Sequence, residues 1–151
     1  MATTTGTLVT FNSFHRDRQN GTMDMDTDIF HVQLHTNTWV PSVTLDFVRA
    51  DLTDELPTAG GYTAAGQLLA SVTLTEPVAG TWRFDSADPL WTATATLTAR
   101  YYVVYDNTPA APLDPLCFYG LLDDTPADVV TTNTNTLTIQ VNASGYYEIS
   151  G

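Results

Sequence analysis

Between Trp91 and Tyr105 the chain alternates almost without error. Ala93, Ala95, Leu97, Ala99, Tyr101, Val103 and Tyr105 hold the odd positions, and Thr94, Thr96, Thr98, Arg100 and Tyr102 hold the even ones. Successive side chains of a strand point to opposite faces, so a period of two over this length dictates β-structure. The span is longer than an ordinary strand, and a bend or bulge is expected within it. Shorter stretches repeat the pattern. Phe30, Val32 and Leu34 oppose His31, Gln33 and His35, and Leu137, Ile139 and Val141 oppose Thr136, Thr138 and Gln140. Residues 8–11, 67–75, 81–84, 116–122 and 146–149 read as further strands. Threonine, 27 of 151 residues, is the type behind this bias, because a β-branched side chain suits a pleated, half-buried surface. Only residues 42–52, where Val43, Phe47 and Leu52 could line one side, leave room for a helix. The expected fold is all-β: an antiparallel β-sandwich, jelly-roll-like, of about seven to eight strands. At most one short helix is expected, near residues 42–52. Residues 1–6 read as a flexible N-terminal arm and 7–151 as a single β-sandwich domain.

The charge balance removes several function classes. Seventeen acidic residues face five arginines and no lysine, for a formal charge of −12. Such a surface repels nucleic-acid phosphate and anionic lipid, so neither nucleic acid nor membrane is expected as a partner. The apolar stretches are far too short to span a bilayer as a helix. Met1-Ala-Thr-Thr-Thr has neither the basic nor the apolar region of a signal peptide, which points to synthesis in a cytoplasm. The lone Cys117 lies in an apolar run and reads as a buried, inert thiol.

Candidate chemistry is sparse. Asp24-Met25-Asp26-Thr27-Asp28 offers carboxylates at a spacing that hard cations use. An EF-hand loop would need glycine where Ile29 stands and glutamate where His35 stands, so a solvated acidic loop is the better reading. His31 and His35 fall on one strand face about 13 Å apart, too far to share a zinc ion; they read as surface imidazoles. None of the six serines sits in a G-x-S-x-G elbow, and no glycine-rich phosphate loop occurs. No enzyme activity, cofactor or metal is expected. Gly60-Gly61-Tyr62-Thr63-Ala64-Ala65-Gly66 reads as a tight loop with Tyr62 packed over it, the alternative being a close contact with a partner.

Several segments carry a resemblance. Asp51-Leu52-Thr53-Asp54-Glu55-Leu56 followed by Gly61-Tyr62-Thr63-Ala64-Ala65-Gly66 resembles a recurring DLT-x-E…GYTAGG element. Leu90-Trp91-Thr92-Ala93 followed by Thr98-Ala99-Arg100-Tyr101-Tyr102-Val103-Val104-Tyr105-Asp106 resembles a W-T-A…ARYAVVYD element. Pro115-Leu116-Cys117-Phe118-Tyr119-Gly120 resembles a third. Over residues 28–149 or so, the chain resembles a family of small structural proteins of tailed bacteriophage virions. It departs from that pattern at Ala65, where a second glycine is usual, and in residues 8–28 and 107–115. The resemblance implies a capsid decoration, cement or head-fibre role at the virion surface. Its implied partners are the major capsid protein and further copies of itself, a trimer suiting a capsid three-fold axis. A tail, neck or fibre-attachment component is the alternative, and a carbohydrate-binding β-sandwich the second. Candidate partner contacts are Thr3, Thr4, Thr5 and Thr7 of the arm, Tyr62, and Asn107, Pro109 and Pro112 of the proline-rich loop.

Overall fold

The computed structural model describes residues 8–150, and residues 2–4 as backbone; Thr5 and Thr7 lie outside the described residues. The chain is an all-β sandwich built on a five-stranded antiparallel sheet. Its strands are β2 (Val9–Thr10), β10 (Leu116–Leu121), β9 (Tyr101–Asp106), β3 (Phe30–His35) and β4 (Gln67–Leu68), in that spatial order. Three smaller sheets lie around it. One joins β1 (Ala2–Thr4), β12 (Thr136–Gln140) and β7 (Leu90–Thr92), with β1 parallel to β12. Thr3 and Thr4 of the expected arm therefore lie in a paired strand. Another joins β13 (Tyr147–Ser150), β6 (Thr81–Asp85) and β5 (Thr73–Val78), and the last pairs β11 (Val129–Thr131) with β8 (Leu97–Ala99).

From Tyr102 to Asp106, β9 is buried on both faces. Tyr102 and Val104 enter the main core with Phe30, Val32, Leu34, Phe84, Phe118 and Leu137. Val103 and Tyr105 enter a second cluster on the opposite face, with Phe11, Trp39 and Leu116. The long alternation is thus divided among three sheets. Trp91, Ala93, Leu97 and Ala99 carry the main core on odd residues, whereas Tyr102 and Val104 carry it on even ones. The switch falls at Arg100, whose N–H donates to the His35 carbonyl at 2.9 Å. A one-residue step exchanges the two faces of a strand, so this single position turns one alternating run into two. A bulge in β10 does the same locally: the register shifts between Leu116 and Phe118, and Cys117 and Phe118 both reach the main core.

The helix is not where the sequence suggested. Residues 42–52 hold a turn and a 3-10 helix, Arg49–Asp51. The α-helix, α1, is Asn12–Gln19, and it buries Ser13, Phe14 and Asp17. With one large apolar side chain in eight residues it shows no helical stripe; tertiary packing of Phe14 holds it instead. It stops at Gly21, whose φ of 77° allows the Thr22 N–H to reach back to the Asp17 carbonyl at 2.9 Å, a Schellman-type ending.

Gly66 has a stricter duty. It turns at φ +72°, and a Cβ there would lie 1.9 Å from the Val32 carbonyl oxygen. At Gly21 a Cβ would meet nothing within 4 Å. Gly66→Ala should therefore cost at least about 3 kcal/mol, and Gly21→Ala only about 1 kcal/mol, the left-handed backbone penalty alone. Urea denaturation of the two variants measures both; similar losses would contradict the steric account.

Candidate interaction face

Two loops leave the second cluster side by side. Residues 39–48 follow β3, and residues 107–115 join β9 to β10. An isolated bridge joins Val48 to Pro115. The Arg49 N–H donates to the Asp114 carbonyl at 2.9 Å, and the Leu116 N–H to the Phe47 carbonyl at 3.0 Å. Asp114 is the hub of this seam. It is 5% exposed, takes a positive φ of 50°, and accepts from Arg49 Nε at 2.9 Å and Asn107 Nδ2 at 2.7 Å. The Arg49 guanidinium lies over the Tyr105 ring, 5.4 Å from its centroid. Asp51 Oδ2 accepts from the Phe47 and Val48 N–H groups, and Asp46 Oδ2 from the Ser42 N–H. These hydrogen bonds hold the backbone of the two loops against each other.

What they present is apolar. Val40 is 82% exposed, Leu45 71%, Leu113 66% and Phe47 41%. Trp39, next to Val40 in the chain, is buried, edge-on to Tyr101 at 5.3 Å and to Tyr119 at 5.4 Å. Exposed apolar side chains on two adjoining loops make this region the candidate contact surface.

The candidate residues divide on this map. Asn107 is exposed, and Pro109 and Pro112 are half-buried, all in the second loop. Tyr62 is not a contact: it is 2% exposed. Its hydroxyl donates to Glu55 Oε1 at 2.7 Å and accepts from the Leu34 N–H at 3.1 Å. Glu55 Oε1 also accepts from the Ala65 N–H, and the Ala65 carbonyl accepts from the Tyr105 hydroxyl at 2.8 Å. The glycine-flanked tyrosine is therefore the loop's inner anchor. The residues 40–47 escaped the sequence reading because their apolar spacing mimics a helix stripe; only Pro41 signalled otherwise.

The ionisable candidates are structural. His35 is fully buried, not a surface imidazole. Its Nδ1 faces the Thr53 carbonyl at 2.8 Å and its Nε2 faces Gln33 Nε2 at 2.6 Å, so the neutral ring donates at Nδ1 and accepts at Nε2. Burial pulls its pKa down to about 4. Within the acidic run, Asp24 Oδ1 accepts from the Asp26 N–H and Asp28 Oδ2 from the Asp24 N–H. Among the described residues no three His, Cys, Asp or Glu side chains are grouped to hold a metal. Asp106, at the end of β9, is fully buried and accepts from the Thr108 N–H at 2.9 Å. Burial, reinforced by the Asp28 carboxyl beside it, pushes its pKa up to about 7. Burial likewise raises the Cys117 thiol, which is fully enclosed.

His35 and Asp106 bias stability in opposite directions. The lowered histidine contributes stability above its unfolded value near 6.5, lost as pH falls toward 4. The raised carboxyl contributes stability below its unfolded value near 3.8, lost as pH rises through 7. Asp106→Asn keeps the bond to Thr108 and supplies a hydrogen toward Asp28. It should match the wild type near pH 4 and exceed it by about 1–3 kcal/mol at pH 8, as urea melts at the two pH values will measure. Compared with protein-family models, with curated proteins and with solved structures, the chain matches none.

Proposed function

We propose that this protein is a non-enzymatic component of a tailed-phage virion. In this reading it binds the outside of the capsid lattice and stabilises the head, with the major capsid protein as its partner and a trimer as its own assembly. The observation that carries the reading is the set of exposed apolar side chains Val40, Leu45, Phe47 and Leu113, on two loops tied together by backbone hydrogen bonds, on a chain of charge −12. The positive charge of the chain is spent internally. Arg16, Arg49, Arg83 and Arg100 pair with Asp17, Asp114, Glu148 and Asp128, and Arg18 lies over the Phe14 and Tyr147 rings. What faces outward is apolar surface within an acidic field, the complement of a basic protein surface. The residues of the recurring elements support the same reading from inside. Glu55, Tyr62, Gly66, Trp91 and Ala99 close loops and fill the core.

A tail, neck or fibre-attachment role would use the same kind of surface and differs in copy number. A glycan-binding reading draws on exposed tryptophan. Trp39 and Trp91 are buried, and Trp82 is 47% exposed. No helix among the described residues is long and apolar enough to cross a membrane.

Quantitative mass spectrometry of purified virions tests location. Copies in simple ratio to the capsid subunit mean decoration, far fewer mean tail or neck, and none overturns the virion reading. Light scattering should return about three times the 16.4 kDa chain mass. Rebinding to heads stripped of the protein tests the face. Leu45→Asp combined with Leu113→Asp should lower occupancy about tenfold or more while leaving the denaturation midpoint near that of the wild type. Undiminished occupancy would move the contact elsewhere.

A further inference from the structure

Beside the loop face lies a notch of about 370 Å³ lined by Val9, Pro41, Tyr101, Tyr119, Leu121 and Pro126. Its floor is the second-cluster face of three adjacent strands. Val9 pairs with Tyr119 across β2 and β10, and Tyr101 pairs with Leu121 across β9 and β10. The two tyrosines cross edge to face, 6.4 Å apart. Both rest against buried Trp39, so the notch is preformed. Pro41 and Pro126 wall it from two loops.

The chemistry of the lining narrows the occupant. Four of the six side chains are aliphatic or proline, and the only side-chain polar groups are two phenol hydroxyls. A sugar ring would leave most of its hydroxyls unpaired there. A proline ring would not: it is rigid and apolar, and it stacks on tyrosine while its extended backbone offers carbonyls to the phenols. Acidic residues stand near the lining in the chain. Asp123 and Asp124 sit between lining residues Leu121 and Pro126, and Asp46 is close enough to act on the Tyr119 phenol. The neighbouring Arg100 is neutralised by Asp128 at 2.8 Å.

We infer that this notch binds an extended, proline-containing peptide segment flanked by arginine or lysine. The proline seats between Tyr101 and Tyr119, and the basic residue meets the carboxylates at the rim. The inference is independent of the virion reading, since any protein carrying such a segment would serve.

Fluorescence anisotropy of the full chain with a labelled peptide of R-x-x-P-x-x-P pattern tests it. A twin peptide with both prolines replaced by alanine is the control. The proline peptide should bind about tenfold or more tightly than its twin. Tyr119→Ala should weaken it about tenfold, and Tyr119→Phe, which keeps the ring, less than threefold or so. Asp124→Asn should weaken it several-fold, as should salt at about 0.5 M. Should Tyr119→Ala fail to fold, Pro126→Arg on its exposed loop, which crowds the notch and repels the basic flank, serves instead. Equal binding of the twin, or no saturation by about 1 mM peptide, overturns the proposal. So does binding of chitotriose, lost in Tyr119→Ala, without binding of the peptide; that outcome would make the notch a glycan site.

Discussion

A strand buried on both faces over all but its first residue organises this protein. Because β9 is apolar on both sides, each side must be covered by a separate layer, and two clusters form rather than one. The main core is closed by α1 and by strands from all three smaller sheets. The second is closed by Trp39, Leu52 and the loop residues around them. The loop face and the notch both rest on this thinner second cover. Trp39, Tyr101 and Tyr119 pack edge to face under the notch, and backbone bonds from residues 47–49 to 114–116 tie the two loops together.

Electrostatics follows a similar division of labour. A chain with so few arginines has placed each against a carboxylate or an aromatic ring. Arg49 and Arg100 do so at loop seams and bends, where backbone polar groups leave the ladders. Other carboxylates cap turns, as Asp24, Asp51 and Asp123 do, while Asp106 is buried and Glu55 anchors Tyr62. The result is a surface that is nearly single-signed while its internal seams are neutral. Such a surface discourages association between like copies except where apolar contact is large enough to overcome it.

Much of the strand content was legible in the residues. β3, β10 and β12 lie where alternation or an apolar run put them, and the glycines of residues 60–66 do take positive φ around an inward Tyr62. The division of residues 91–105 was harder to read. Tyr101-Tyr102-Val103-Val104-Tyr105 is apolar on both faces, so the exchange of faces at Arg100 leaves the alternation of letters intact. The same run was nonetheless the sign of a doubly covered strand. His35 was misread for a related reason: a polar residue opposite Leu34 looks solvent-facing until a second layer is known to exist. α1 left no trace because Phe14 alone anchors it. Of the interaction face, the proline-rich loop was visible in composition. The loop before it was not, because outward and inward apolar residues look alike without a partner strand.

One edge of the structure also bears on how the protein behaves when crowded. β5 borders its sheet, and its outer side offers hydrogen-bonding groups to any passing strand. Its register slips between Thr75 and Val78, within the stretch that contains Pro77. Proline brings no N–H, and the slip bends the strand out of plane. An incoming chain therefore finds a broken template, which resists fibril growth from this side. In a protein so rich in β-branched residues, β5 is thereby a poor template for strand addition.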